Sequence, residues 1–146
     1  MSRIPKRHAQ RRALVIGGSM SGLLAALMLG RNGWRVDVFE RAEGGLAGRG
    51  AGIVAQTEMI AQLAGLGLDT RDIGVSITAR KIFDREGRLV ASGVCPQVLT
   101  AWERVYHILR GAFSDAHYHP GRAFKSVQQD ESGVVAYFSD GGSERA

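Results

Sequence analysis

The sequence has little cysteine and little proline, and it lacks a long apolar run. Cys95 is the only cysteine in 146 residues, so an internal disulfide is excluded and a reducing, cytoplasmic location is favoured. Three prolines beside 20 glycines are too few for a disordered Pro/Gly tract. The best apolar run, residues 23–29, is too short to cross a bilayer, so no membrane partner is predicted. The 45% of hydrophobic residues predicts a globular domain.

The positive charge is concentrated at the N-terminus. Five of the 19 basic residues fall in the first twelve positions, and the net charge is +5. This segment lacks interleaved aromatic residues and any binding motif, so nucleic acid is not a predicted partner. A signal peptide is not predicted either, because a glycine turn follows where its apolar region would be. We predict a flexible basic arm over residues 1–11.

The chain after the arm predicts a strand, a helix and a second strand. The apolar run at residues 13–16 is typical of a strand buried on both faces. Residues 21–31 predict a helix that is apolar nearly all round, hence mostly buried. Asn32-Gly33 ends this helix, and residues 34–39 predict the second strand. Together they predict a β-α-β unit with parallel strands and a right-handed crossover.

The rest of the chain predicts helices and antiparallel strands. Five glycines in residues 41–52 exclude a regular element there, and Thr100 with Glu103 predicts a capping box. After the turn at Asp140-Gly141-Gly142 no further strand is predicted. The predicted helices are residues 56–66 and 100–113; the predicted strands are 75–83 and 88–92, joined by a turn at 84–87, followed by 117–119, 123–130 and 134–139.

A glycine-rich turn joins the first strand to the first helix. Gly17-Gly18-Ser19-Met20-Ser21-Gly22 matches the dinucleotide-binding pattern G-x-G-x-x-G with serine at the second glycine. Gly17 permits a tight turn, the small Ser19 lets a pyrophosphate approach, and Gly22 allows close packing of helix on strand. The helix N-terminus offers unpaired N–H groups to the phosphates. A turn without a nucleotide remains the alternative.

An acidic residue ends the second strand at the spacing that this motif requires. Glu40 follows Gly22 by eighteen residues, where a carboxylate accepts hydrogen bonds from an adenosine ribose. A carboxylate repels a 2′-phosphate, so FAD or NAD is preferred over a phosphorylated dinucleotide. The motif does not choose between FAD and NAD. The hairpin-like strands after residue 75 argue against an NAD-dependent domain, which would continue to alternate strands and helices.

The sequence around this motif resembles the group A FAD-dependent monooxygenases, the single-component aromatic hydroxylases. The resemblance rests on the glycine turn, Glu40-Arg41, the loop at residues 48–53 and the run at 96–102. Within that family the sequence resembles the 2,6-dihydroxypyridine hydroxylase-like branch. The resemblance implies an α/β fold: a Rossmann-like FAD-binding β-α-β unit followed by helices and antiparallel strands, as in a truncated FAD/NAD(P)-binding fold.

The resemblance also implies the site. Glu40 would bind the ribose of FAD and Arg41 would lie near the adenine. Arg49 and Arg104 would contact the pyrophosphate or ribityl region, where arginine can donate two hydrogen bonds. The loop residues Gly50, Ala51 and Gly52 would let the backbone approach the flavin. The reaction implied is hydroxylation of an aromatic or heteroaromatic small molecule with NAD(P)H and oxygen; no catalytic residue is assigned.

The resemblance covers only the N-terminal portion of such an enzyme. We expect residues 12–146 to form a partial FAD-binding domain with the start of the substrate-domain strands. The later motifs that serve FAD and NAD(P)H are not found, so a second polypeptide or self-association would complete the fold. A non-catalytic dinucleotide-binding module is the alternative function. His117 and His119 share a strand face in this interpretation, but no third ligand is evident and no metal is predicted.

Overall fold

The computed structural model describes residues 11–44, 46, 48 and 51–146, which divide into two units. The first unit comprises Met1–Leu46 and Arg110–Ala146, and the second comprises Ala47–Leu109. The predicted arm lies outside the described residues except for Arg11. Among the residues that the structure describes, no helix has the length and apolarity of a membrane span.

The elements follow the predicted order in most of the chain. The strands are β1 (Arg12–Ile16), β2 (Arg35–Phe39), β3 (Gly52–Ala55), β4 (Val75–Phe83), β5 (Leu89–Ala101), β6 (Tyr118–His119), β7 (Phe124–Asp130), β8 (Gly133–Phe138) and β9 (Ser143–Arg145). The helices are α1 (Met20–Arg31), α2 (Thr57–Gly65) and α3 (Trp102–Ala112), with a 3₁₀ turn at Asp115–His117.

The first unit contains the predicted β-α-β arrangement. β1 pairs with β2 in parallel, and β2 pairs in parallel with β6, so β2 is the central strand. The predicted stop of α1 is confirmed, because Asn32 is its C-cap and Gly33 has φ of +82°. The predicted burial of β1 on both faces is wrong. β1 is an edge strand of this sheet within the described residues, and Ile16 is 44% exposed.

Helix α1 is less buried than its composition predicts. Leu23 and Ala26 are its two buried residues, whereas Met28 is exposed. The buried pair lies on the side of the helix that covers β1 and β2, as an amphipathic helix would. Leu24, Leu27 and Leu29 are half-buried, so the described part of the first unit covers the rest of α1 only in part.

A second sheet in the first unit consists of β7, β8 and β9. All its pairs are antiparallel, and the predicted strands at 123–130 and 134–139 are confirmed. The expectation that no strand follows Gly142 is wrong, because Ser143–Arg145 pairs with β8. A strand of this length forms because it pairs with a neighbouring strand, and its own composition does not predict it. Phe39 of β2 packs against Phe138 with ring centroids 4.7 Å apart.

The second unit contains the sheet β3-β5-β4 and helix α2. The hairpin around residues 84–87 is confirmed, but β5 is far longer than the predicted strand at 88–92. Strand β3, which begins in the glycine-rich stretch, was not predicted. It pairs with the far end of β5, where Ile53 opposes Thr100.

The predicted capping box at Thr100 and Glu103 is wrong. Thr100 belongs to β5, and its buried hydroxyl donates to the carbonyl of Ile73. The helix begins two residues later, at Trp102. The carboxylate of Glu103 instead accepts the backbone N–H of Gly48 at 3.0 Å. Sheet pairing and a buried hydrogen bond stabilise Thr100 in β5 more than capping would stabilise it at the start of a helix. Tertiary contacts therefore override the local motif.

Candidate cofactor site

The glycine turn leaves β1 and enters α1 beside the end of β2. Gly17 has φ of +103°, a conformation that favours glycine, and its N–H donates to the carbonyl of Phe39 at 2.8 Å. This hydrogen bond extends the parallel pairing of the two strands by one residue. The turn therefore lies at the carboxyl ends of neighbouring parallel strands, where α/β folds bind their ligands.

Two glycines of the turn have no room for a side chain. A Cβ atom on Gly22 would overlap the backbone carbonyl of Gly17 and press on the side chain of Val15. A Cβ atom on Gly18 would overlap the phenol of Tyr118. The close approach of α1 to β1 thus depends on Gly22, as the motif predicts.

The start of α1 presents backbone donors. Ser19 is the N-cap in extended conformation, and its carbonyl accepts the N–H of Leu23 at 2.9 Å. The hydroxyl of Ser19 makes no capping hydrogen bond, and the first turn of α1 contains no acidic residue. The N–H groups of Met20 and Ser21 begin the helix and have no acceptor within it. This N-terminus suits an anion such as a pyrophosphate.

Glu40 is held against this turn. Its side chain accepts the N–H of Gly18 on Oε2 at 2.8 Å and the N–H of Ala42 on Oε1 at 2.9 Å. Only 6% of the residue is exposed. A carboxylate offers about four acceptor positions, so two remain for ribose hydroxyls. Arg41 follows in the chain and is exposed.

Tyr118 belongs to this site, although the sequence analysis assigned it no role. Its hydroxyl donates to the carbonyl of Gly18 at 3.3 Å, and the guanidinium carbon of Arg110 lies 4.1 Å from its ring centroid. Tyr118 pairs with Val38 in the parallel sheet. A signal was present, because an aromatic residue between two histidines fits a strand, but the partner strand could not be identified from the sequence.

The remaining predicted cofactor residues belong to the second unit. Arg49 and Gly50 lie outside the described residues. The carbonyl of Ala51 accepts the N–H of Trp102 at 3.0 Å, and Gly52 begins β3. Arg104 is in the first turn of α3 and lines a cleft of about 380 Å³ that also contains Asp69 and Asp72. The structure therefore connects the loop and the helix start that were predicted to act together, within the second unit.

The two histidines considered for a metal instead meet a buried carboxylate. His117 lies in the 3₁₀ turn, not in the predicted strand, and its Nδ1 is 2.9 Å from Asp37 Oδ1. His119 Nε2 is 3.3 Å from the same oxygen, and Arg12 Nε donates to Asp37 Oδ2 at 2.9 Å. Among the described residues, no group of three His, Cys, Asp or Glu side chains is arranged to hold a metal.

The hydrogen bonds to Asp37 keep it ionised. Its burial alone would raise the pKa, but hydrogen bonds from His117, Arg12 and His119 outweigh that effect and lower the pKa from 3.8 to about 2. Arg12 also donates to Glu144 Oε2 at 2.9 Å and to the carbonyl of Arg145 at 2.6 Å. Arg12 therefore links β1 and β2 to β9.

The residues of the first unit fit a dinucleotide. Gly17, Gly18 and Gly22 bring no side chains to the turn, the start of α1 offers donors, and Glu40 keeps acceptor positions for ribose hydroxyls. The fit is specific to an unphosphorylated ribose, because the buried charge of Glu40 would repel a 2′-phosphate. The described side chains alone do not distinguish FAD from NAD.

Comparison with known proteins makes that distinction. The model of the family described as FAD binding domain matches residues 10–146. The chain is 37% identical over 131 residues to a 2,6-dihydroxypyridine 3-monooxygenase of Paenarthrobacter nicotinovorans, which covers 89% of this chain and 33% of that protein.

Two solved structures share the fold of this chain. The structure of 2,6-dihydroxypyridine-3-hydroxylase from Arthrobacter nicotinovorans superposes with a TM-score of 0.86 at 35% identity, over 94% of this chain and 35% of that one. Klebsiella pneumoniae HpxO, solved with FAD and uric acid, superposes with a TM-score of 0.76 at 22% identity, over 92% and 37% of the two chains. The second likeness shows the fold alone. The chain spans about a third of the length of these relatives.

Proposed function

We infer the function from one premise: this chain belongs to the FAD-binding domain family. It is the FAD-binding domain of a hydroxylase-type flavin monooxygenase and covers only part of its relatives. We propose that this domain serves the hydroxylation of an aromatic or heteroaromatic ring. The observation that carries the proposal is the 37% identity to a 2,6-dihydroxypyridine 3-monooxygenase across nearly the whole chain. An electron-rich hydroxypyridine ring is the substrate class that this likeness favours.

The proposed reaction consumes NAD(P)H, oxygen, a proton and the ring, and it yields the hydroxylated ring, NAD(P)⁺ and water. Bound FAD supplies the hydride acceptor and the activation of oxygen, chemistry that no side chain can provide. The protein residues bind and orient the cofactor. Gly17–Gly22 and the start of α1 hold the pyrophosphate, and Glu40 holds the adenosine ribose, with Arg41 beside the adenine.

Two further arginines are proposed to bind the same cofactor. Arg49 and Arg104 bind the pyrophosphate or ribityl region, and the backbone of Gly50, Ala51 and Gly52 approaches the flavin. The support for Arg104 is its place in the first turn of α3, two residues after the N–H that Ala51 accepts. A guanidinium binds phosphate with paired donors, so each arginine should contribute measurably to affinity.

We further propose that a second polypeptide or self-association contributes to the working enzyme. We also propose that the enzyme works in the cytoplasm. The exposed apolar residues on the β4–β5 hairpin support the first point. Phe83, Val90 and Val94 are among them, and Val94 is 87% exposed. Apolar patches of this kind mark interaction surfaces. Light scattering during size-exclusion chromatography tests self-association. We expect a Val94→Lys variant to self-associate more weakly.

The test of the cofactor site is a titration with FAD, followed by flavin fluorescence and visible absorption. We expect saturable binding, and about tenfold weaker binding in Arg49→Ala and in Arg104→Ala. Arg88→Ala is the matched control, because Arg88 pairs with Asp84 and Glu86 at the tip of the hairpin. A folded chain that binds no FAD, or arginine variants that bind like the control, would contradict the assignment.

The test of the reaction is turnover by the FAD-loaded protein with NAD(P)H and oxygen. Consumption of NAD(P)H should be stimulated by 2,6-dihydroxypyridine, and the product should carry one added oxygen atom. Flavin retention without stimulated turnover would favour a non-catalytic binding module. The two assays are independent, so loss of the hydroxylase proposal leaves the FAD-binding result intact.

A further inference from the structure

A second cleft lies at the opposite end of α1 from the glycine turn. It has a volume of about 610 Å³ and lies wholly within the first unit. This volume is within the range of small-molecule sites, roughly 300–1,000 Å³. Ten residues of helix separate Met20 from Gly30, which corresponds to about 15 Å along the axis. The cleft is therefore distinct from the cofactor site.

The walls of the cleft are aromatic and aliphatic. Two ring systems line it: Trp34, which directly precedes β2, and Phe113, which directly follows α3. Leu27 and Val36 add aliphatic surface, and Gly30 leaves open space where a side chain would otherwise project. Such walls suit a flat ring, because aromatic side chains bind rings by stacking and edge contacts.

The charges of the cleft are cationic. Arg31 and Arg35 line it, and none of its lining residues is acidic. His117 also lines it, and its Nδ1 is already bonded to Asp37. Asp37 is the nearby acid, but it is buried and accepts hydrogen bonds from Arg12 and both histidines, so its charge is compensated. Arg35 is a weaker partner of this acid, because its Nε lies 3.9 Å from Asp37 Oδ2.

Backbone hydrogen bonds satisfy the last carbonyl groups of α1, which lie near this cleft. The last carbonyls of a helix carry partial negative charge, which would repel an anion. Here the carbonyls of Met28, Leu29 and Gly30 accept the N–H groups of Asn32, Gly33 and Trp34. The side-chain amide of Asn32 donates to Met28 as well, at 2.8 Å. The side chain of Arg35 remains 56% exposed despite its ion pair with Asp37, so Arg31 and Arg35 are the main polar groups of the lining that a ligand can reach.

We infer that this cleft binds an aromatic carboxylate: the ring lies against Trp34 and Phe113, and the carboxylate binds Arg31 and Arg35. The inference is independent of the proposed hydroxylation, since none of these residues belongs to the cofactor site. It assigns the first unit a second ligand class, a planar organic anion. We choose a carboxylate and not a phosphate, because a carboxylate can be joined directly to a ring that packs on the apolar residues of the lining.

The test uses 2-naphthoate as the probe and its neutral analogue 2-naphthamide as the comparison. Two-dimensional amide NMR of the FAD-saturated chain should show naphthoate shifting the signals of Gly30 and the indole N–H of Trp34. We expect naphthamide to bind at least about tenfold more weakly, the loss of one charge-assisted contact. The Arg31→Gln, Arg35→Gln double variant should bind both probes equally.

The second variant tests the inference by filling the cleft with a side chain. Gly30→Leu places a side chain in the open space of the cleft and should abolish binding of both probes, while helix propensity keeps α1 folded. Gly111→Leu is the matched control in α3, because a Cβ atom there meets no atom within 4 Å and Gly111 does not line the cleft. Equal affinity of the unsubstituted chain for the two probes, or binding that survives Gly30→Leu, would each overturn the inference.

Discussion

The carboxylate of Glu40 accepts the backbone N–H of Gly18 across 2.8 Å. This contact joins the acid at the end of the second strand to the turn at the end of the first. It means that the group predicted to bind a ribose also stabilises the loop predicted to bind the phosphates. The two halves of the site are therefore coupled, and changes in Glu40 should affect FAD more than ligands that lack an adenosine.

Glu40→Gln should weaken FAD binding and leave FMN binding unchanged. The amide oxygen can still accept the N–H of Gly18, while the NH₂ group cannot accept the N–H of Ala42. The side chain also loses the charge that strengthens hydrogen bonds to ribose hydroxyls. We expect about tenfold weaker FAD binding in a fluorescence titration, which is about 1.4 kcal/mol. Glu58→Gln on the exposed side of α2 is the control. Equal losses for FAD and FMN would show that Glu40 acts only on the fold of the turn.

Gly22→Ala should destabilise the first unit. The new Cβ atom would overlap the carbonyl of Gly17, which is backbone and cannot move without displacing α1 from β1. We expect the free energy of unfolding in urea to fall by about 2 kcal/mol or more, as for other overpacked sites. Gly30→Ala in the same helix meets no atom within 4 Å and should stabilise slightly. An unchanged unfolding midpoint for Gly22→Ala would contradict the close packing.

Acid should unfold the first unit partly through Asp37. The folded pKa of Asp37 is about 2, below its ordinary value of 3.8, so its stabilisation is present above pH 3.8 and is lost as the pH falls towards 2. The shift corresponds to about 2 kcal/mol. Asp37→Asn should therefore be less stable at neutral pH and should show a flatter pH dependence between about pH 4 and 2. The control is Asp72→Asn, and urea unfolding across this range provides the measurement.

Tyr118→Phe should isolate one hydrogen bond at the glycine turn. The variant keeps the ring beside Arg110 and loses the bond from the hydroxyl to the carbonyl of Gly18. We expect a loss of about 1 kcal/mol in unfolding free energy and little change in FAD affinity. Tyr137→Phe removes an exposed hydroxyl bond to Gln128 and should cost less. A larger effect on FAD than on stability would instead assign Tyr118 to the binding surface.

The sequence alone determined the β-α-β unit and its turn. An apolar run, glycines where a side chain has no room, an Asn-Gly stop and an acid after the second strand are all local signals. The structure confirms the strands and the helix, and it adds a hydrogen bond between Glu40 and Gly18 that the sequence did not predict. These features are predictable because steric limits on a few neighbouring residues decide them.

Only the tertiary structure decided which distant residues meet. Strand β9 exists because β8 offers it a partner, and Thr100 joins a strand because Ile53 and Ile73 provide hydrogen-bonding groups. Asp37 is the common partner of Arg12, His117 and His119, which come from two other segments of the chain. Such contacts depend on long-range pairing, whose energy is absent from any local window of sequence. For the same reason the sequence showed neither the role of Tyr118 nor the cleft beside Trp34.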